Sequence, residues 1–145
     1  MADLILLVQV ATTLFMAGLI WFVQVVHYPL FVHVGRQRFP RYETSHQVRT
    51  TVLVVPMMLA EAATALALLF WRPTGVPLTA AVTGFVLLAL IWGCTHLWQV
   101  PIHTRLSKAF DVAAYRRLLK SNWVRTILWT LRGLLVLWMV CVAWA

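Results

Sequence analysis

Four of the five histidines lie near the ends of long apolar stretches, where an imidazole could bind a metal ion or carry a proton. These four residues are His27, His46, His96 and His103, whereas His33 falls in a polar loop. In the third apolar stretch, His96, Gln99 and His103 follow the three- and four-residue spacing that places side chains on one face of a helix. The sequence therefore predicts that imidazoles from separate helices gather at one end of a bundle.

The segment Glu43-Thr44-Ser45-His46 has the ExxH spacing, which puts a carboxylate and an imidazole on the same helical face. This spacing recurs in di-iron bundles, where other helices supply further carboxylates. Here only Glu61 and Asp111 remain for that purpose, so a full di-iron set is not expected. The pattern favours a smaller site for Fe, Zn or Cu. Its predicted ligands are His27, Glu43, His46, His96 and His103.

Two other interpretations of the histidines remain open. His27 and His96 could ligate a haem b from both sides, with aromatic side chains packing against the macrocycle. The histidines could also serve only as hydrogen-bond partners for polar side chains of neighbouring helices, such as Gln24, Gln99 or Asn122.

Glu61 lies deep within the second apolar stretch, where an unpaired charge would be costly. Three states would avoid this cost. The carboxyl group is protonated, or it binds a metal ion or proton in a catalytic role, or it pairs with Arg132 of the last stretch.

The composition predicts the kind of secondary structure that positions these residues. Of the 145 residues, 62% are hydrophobic and only 11% are charged, which excludes both a water-soluble domain and a disordered chain. Four apolar runs are long enough for membrane-spanning helices. We expect a single all-α domain over residues 1–145, an integral membrane four-helix bundle with spans at about 4–27, 48–71, 76–101 and 124–144.

The basic residues outnumber the acidic ones by 12 to 4 and concentrate between spans one and two and between spans three and four. The positive-inside rule then places both loops in the cytoplasm and both termini outside, in a multi-pass protein of the cell inner membrane. We expect the excess positive charge of these loops to contact membrane lipid headgroups rather than nucleic acid. Arg49 and Arg125 are candidates for binding the anionic part of a substrate.

The two helical hairpins resemble each other. Residues 45–50, Ser-His-Gln-Val-Arg-Thr, match residues 121–126, Ser-Asn-Trp-Val-Arg-Thr, at four of six positions. Pro29 and Pro101 are predicted to end spans one and three. These matches predict a parallel repeat with a pseudo-twofold axis along the membrane normal. Residues 42–50 and 111–122 are expected to be helical or interfacial, with Asp111 as an N-cap.

The segment Val100-Pro101-Ile102-His103-Thr104-Arg105-Leu106, followed by Asn122-Trp123-Val124-Arg125-Thr126, resembles the anthrone-oxygenase-like family of small four-span membrane proteins. The resemblance covers the last third of the chain and the span layout, and His103 stands where the family has asparagine. It implies a membrane oxygenase acting on a polycyclic aromatic substrate, with Asn122 and Arg125 as the important positions.

Three functions compete at this point. The first is a metal-dependent membrane oxidoreductase or oxygenase, in which Glu61 and Arg125 are catalytic, Arg49, Asn122 and Arg125 bind substrate, and a lipophilic quinone or aromatic molecule enters from the bilayer. The second is a haem-binding electron carrier. The third is a small transporter or assembly factor, acting as a homodimer, with Glu61 as its proton-coupled residue.

Overall fold

The computed structural model describes residues 1–145, of which 86% are helical and none lies in a strand. Five α-helices follow in order: α1 Ala2–Phe22, α2 Phe39–Phe70, α3 Leu78–Cys94, α4 Val100–Leu106 and α5 Val112–Ala143. A π-helical turn, Val23–His27, extends α1, and a 3₁₀ turn, Pro29–His33, follows it. A second π-helical turn, Thr95–Gln99, joins α3 to α4. The predicted all-α class is confirmed.

Four continuous helical segments are long and apolar enough to cross a membrane. They comprise Ala2–His33, Phe39–Phe70, Leu78–Leu106 and Val112–Ala143. At a rise of about 1.5 Å per residue the longest would extend for roughly 48 Å, beyond a hydrocarbon core about 30 Å thick. The helices are therefore long enough to project into the interface, and they include residues 42–50 and 112–122, which the sequence predicted to be helical or interfacial.

The four long segments form a ring in which α1 packs against α2 and α5, and α5 packs against α3. The ring closes where α2 meets α3, and this seam has the least extensive contact of the four. The larger apolar core cluster surrounds Met16, Phe31 and Trp129, and a smaller one surrounds Leu6 and Met139.

The outer surface of the bundle is apolar. Leu97 is 74% exposed, Val52 72% and Phe70 71%, while Gln9, Glu43 and Asn122 are buried. This distribution reverses that of a water-soluble protein and suits a protein whose outer face contacts acyl chains.

The helices do not end at Pro29 and Pro101 as the sequence predicted. Each proline follows a π-helical turn, and helical structure continues beyond it. A proline ring clashes with the carbonyl group four residues earlier, and a wider turn at that point relieves the clash. The same arrangement occurs in both hairpins, although the internal repeat itself stays a prediction.

Asp111 is the N-cap of α5, as expected. Its Oδ1 accepts hydrogen bonds from the backbone N–H groups of Ala113, at 2.8 Å, and Ala114, at 3.1 Å. The backbone N–H of Ala114 is the main reason that the pKa of the Asp111 carboxyl group lies below its usual value. Arg105 forms an ion pair with the same carboxylate. This cap fixes the start of α5 directly after the basic loop.

The short connection between α2 and α3 contains Gly75, the residue with a positive φ, at 90°. A Cβ at this position would lie 2.4 Å from the backbone oxygen of Val142. We expect Gly75→Ala to destabilise the protein by more than the ~1 kcal/mol typical of an incompatible backbone substitution, because it adds a steric clash to an unfavourable conformation. Thermal unfolding in detergent micelles measures the effect, and Gly35→Ala is the matched control because no atom lies within 4 Å of its Cβ position. Equal midpoints for the two variants would contradict this expectation.

Candidate functional site

A cavity of about 530 Å³ lies inside the bundle along the seam between α2 and α3. Its volume falls within the range of about 300–1,000 Å³ that small-molecule sites occupy. Twenty residues line the cavity, and each of the four long segments contributes at least one of them. They are Met16, Leu19, Ile20, Val23, Tyr28, His46, Gln47, Thr50, Thr51, Val54, Val55, Met58, Leu59, Trp92, Thr95, His96, Gln99, Val100, His103 and Arg125.

The cavity has an apolar part and a polar end. Side chains such as Met16, Ile20 and Met58 form the apolar walls. The polar end is formed where the segments that contain Tyr28, His46 and His103 converge, at the end of the bundle with the basic loops. Such a site suits a molecule with a lipophilic body and at least one polar group.

The cavity opens between α2 and α3 onto the outer surface of the bundle. Thr51, Val55 and Leu59 are four residues apart on α2, and all three are exposed while also lining the cavity. His96 and Val100 are the exposed lining residues on the opposite side. Since the surrounding surface is apolar, the opening faces the hydrocarbon region if the four segments span a bilayer.

Three side chains at the polar end form a hydrogen-bonded chain. His103 Nδ1 lies 2.5 Å from Glu43 Oε1, and the Tyr28 hydroxyl lies 2.9 Å from His103 Nε2. A carboxylate can only accept, so the neutral imidazole carries its proton on Nδ1 and accepts at Nε2 from the Tyr28 hydroxyl. The chain thus runs from the cavity wall to a fully buried carboxylate.

Gln47 holds this chain in place. Its Nε2 donates to Glu43 Oε1 at 3.2 Å and to the backbone carbonyl of His103 at 3.1 Å, which links α2 to α4. Glu43 Oε2 is buried without a hydrogen-bond partner. The carboxylate therefore keeps one acceptor oxygen that no protein donor uses.

His27 and His46 form a second pair. His27 Nε2 lies 3.0 Å from His46 Nδ1, and the Thr50 hydroxyl lies 3.2 Å from the same Nδ1. These contacts occupy one nitrogen of His46, which leaves its Nε2 for a molecule in the cavity. His46 and His103 are neighbours, with ring centroids 5.5 Å apart.

The structure therefore brings together His27, Glu43, His46 and His103 but not as a metal site. No group of three or more His, Cys, Asp or Glu side chains is arranged to hold a metal ion. The donors hydrogen-bond to one another in pairs, and His96 is exposed at the opening of the cavity. The metal ligands and the haem ligands His27 and His96 stay predictions, and the residues present do not fit the metal centre.

Arg125 lies at the polar end, next to Tyr28, whereas Asn122 does not line the cavity. Arg125 Nη1 donates to Asn122 Oδ1 at 3.1 Å, and Asn122 Nδ2 donates to Gln24 Oε1 at 2.8 Å. Arg125 and Asn122 are both buried. Arg49 is exposed on the outer surface and does not line the cavity, so the structure places the two predicted substrate-binding arginines apart.

Glu61 pairs with Arg132, the third of the states considered from the sequence. Arg132 Nε donates to Glu61 Oε1 at 2.6 Å, and Thr13 donates to the same oxygen at 2.6 Å. Arg132 also donates to the backbone carbonyl of Gly84. Both charged side chains are buried, and neither lines the cavity. This pair ties α2 to α5 and α3, while the catalytic role of Glu61 stays a prediction.

Sequence reasoning missed two residues of the site. Neither Tyr28 nor Trp92 was among the predicted site residues, although both line the cavity. The signal for Tyr28 was its place between His27 and Pro29, at the end of an apolar span.

Comparison of the chain with known protein families, with curated proteins and with solved structures gave no match. The function must therefore be inferred from the cavity and its residues.

Proposed function

We propose that this chain is a membrane-embedded enzyme that removes a proton from a lipophilic aromatic ketone or hydroxyaromatic molecule and can return it. The observation that carries the proposal is the Tyr28–His103–Glu43 chain at the polar end of an otherwise apolar cavity. A positioned imidazole held by a carboxylate is the usual arrangement for general acid–base catalysis.

The substrate proton would be transferred through the Tyr28–His103–Glu43 hydrogen-bonded chain. A C–H or O–H bond of the substrate breaks, and its electron pair stays on the substrate as an enolate or phenolate. The Tyr28 oxygen takes the substrate proton while its own proton passes to His103 Nε2. The resulting imidazolium lies against the Glu43 carboxylate, which stabilises its charge. The reverse sequence returns the proton.

The rest of the cavity suits the same class of substrate. Its walls are mainly aliphatic with Trp92 and Tyr28, and its opening lies on the apolar outer surface. A flat, lipid-soluble molecule could pass from the bilayer into this space without crossing water. Exclusion of water also strengthens the electrostatic interactions that drive the proton transfer.

This activity is compatible with the oxygenase or oxidoreductase expected from the sequence. Loss of a proton precedes oxidation of a hydroquinone or an anthrone-type ketone, so the Tyr28–His103–Glu43 chain could perform the acid–base part of either reaction. The resemblance to the anthrone-oxygenase-like family supports an aromatic ketone as the substrate class.

Hydrogen–deuterium exchange at the acidic carbon of anthrone tests the proposal, because it follows proton removal without any oxidant. The protein in nanodiscs is incubated with anthrone in D₂O without oxygen, and mass spectrometry measures deuterium incorporation. We expect the protein to accelerate exchange, and Tyr28→Phe to lower the rate by about 10²-fold or more, since positioned acid–base groups contribute roughly 10²–10⁴-fold.

His33→Ala is the matched control because His33 is exposed and lies outside the cavity. It should exchange as the unaltered protein does. An unaltered protein that fails to accelerate exchange, or a Tyr28→Phe variant as fast as the control, would refute the proposal.

A further inference from the structure

Arg125 is a buried cation with no carboxylate partner. Its side chain is 7% exposed, its Nη1 donates to the neutral Asn122 amide, and its Nε has no hydrogen-bond partner. Arg132 provides a contrast within the same protein, because it is also buried, at 1% exposed, but is paired with Glu61.

Taking an arginine out of water without a counter-charge is expensive, so buried charges in proteins are normally paired. The carboxylate nearest to the polar end, Glu43, is already engaged by His103 and Gln47. Glu61 and Asp111 are paired with Arg132 and Arg105, so no carboxylate near Arg125 is left for it, and its ionisable neighbours are Tyr28 and Cys94.

Two other buried polar atoms among the residues lining the cavity lack a partner. They are the indole N–H of Trp92 and Oε1 of Gln99. Buried polar groups are rarely left unpaired unless water or a ligand satisfies them. Arg125 Nε and Trp92 Nε1 are both donors, which an acceptor oxygen would satisfy, whereas Gln99 Oε1 requires a donor.

We propose that the cavity binds its ligand as a lipophilic oxyanion, such as an enolate, a phenolate or an ionised hydroxyquinone, with Arg125 as its counter-ion. This inference rests on the proposed function in placing the ligand in the same cavity, and it adds the charge of the bound form. Proton removal at Tyr28 would then produce a charge directly beside the guanidinium that compensates it.

A matched pair of quinones tests the charge. One is a 2-hydroxy-1,4-naphthoquinone with an alkyl tail, studied at a pH where its hydroxyl group is ionised, and the other is its neutral methyl ether. Quenching of tryptophan fluorescence measures binding to the protein in zwitterionic nanodiscs, with concentrations corrected for partition into nanodiscs without protein. Trp92 in the cavity wall makes this signal sensitive to the site.

We expect the unaltered protein to bind the anion roughly 10- to 100-fold more tightly than the ether, the range of a charge-assisted hydrogen bond. Arg125→Gln should abolish this preference, whereas Arg125→Lys should keep most of it because the charge remains. Arg49→Gln is the control, since Arg49 is an exposed arginine outside the cavity.

The outcomes separate this inference from the proposed function. Equal affinity of the unaltered protein for the two quinones would overturn the inference while leaving a ligand site in place, and so would an Arg125→Gln variant that folds and keeps the preference. Preferential binding of the anion, lost in Arg125→Gln, would support the inference even if anthrone exchange showed no dependence on Tyr28. Failure of both quinones to bind would overturn it as well.

Discussion

Replacing Arg132 with leucine is expected to lower the free energy of unfolding by about 3–5 kcal/mol, the usual cost of breaking a buried ion pair from one side. The substitution leaves the Glu61 carboxylate buried with only Thr13 and Gln9 as hydrogen-bond donors. It also removes the hydrogen bond from Arg132 to the Gly84 carbonyl group. Unfolding in mixed detergent micelles, followed by circular dichroism, measures the loss.

The double variant Glu61→Leu with Arg132→Leu tests whether the unpaired charge of Glu61 causes this loss of stability. Removing both charged groups leaves no unpaired charge at this position in the bundle, so most of the lost stability should return. Arg49→Leu is the control because that arginine is exposed, and it should change stability little. A double variant that is less stable than Arg132→Leu alone would show that the pair is not what holds these helices together.

The second large effect concerns Glu43 and His103, tested by the deuterium exchange of anthrone. Glu43→Gln removes the charge that stabilises the imidazolium, and His103→Ala removes the imidazole itself. Each change should lower the exchange rate by roughly 10²–10⁴-fold, as expected for a positioned acid–base group. Residues that act as a unit are not additive, so the double variant should be no slower than the slower single variant.

Thr104→Ala is a suitable control for this series, because Thr104 lies beside His103 on α4 but is exposed and outside the cavity. It should keep the full exchange rate. If the effects of Glu43→Gln and His103→Ala multiplied in the double variant, the two residues would act independently and the hydrogen-bonded chain would not be the route of the proton.

Composition and spacing were sufficient to predict much of this structure. Only helices or closed barrels can span a bilayer, and apolar runs of this length fit helices, so the four long segments followed from hydropathy. Asp111 was identified as an N-cap because aspartate before a helix satisfies free N–H groups. The cost of burying Glu61 alone made Arg132 a natural partner, and the structure confirms the pair.

The sequence did not distinguish His96, which is exposed, from the three histidines that lie together at the polar end of the cavity. The stripe that joined His96 to Gln99 and His103 assumed α-helical spacing throughout. The π-helical turn Thr95–Gln99 adds one residue to the repeat and changes the helical phase, so that His96 is exposed while Gln99 is buried. The turn at Val23–His27 similarly brings Tyr28 into the site. No local pattern marks either turn apart from the proline that follows.

The position of the cavity opening affects how any ligand concentration should be expressed. The opening lies between exposed apolar residues such as Val55 and Leu59, so ligand reaches it from the acyl chains if the bundle spans a bilayer. Occupancy would then depend on the mole fraction of ligand among the lipids rather than on its molarity in water. Added lipid would reduce occupancy by dilution in two dimensions, even with the total amounts of protein and ligand held constant.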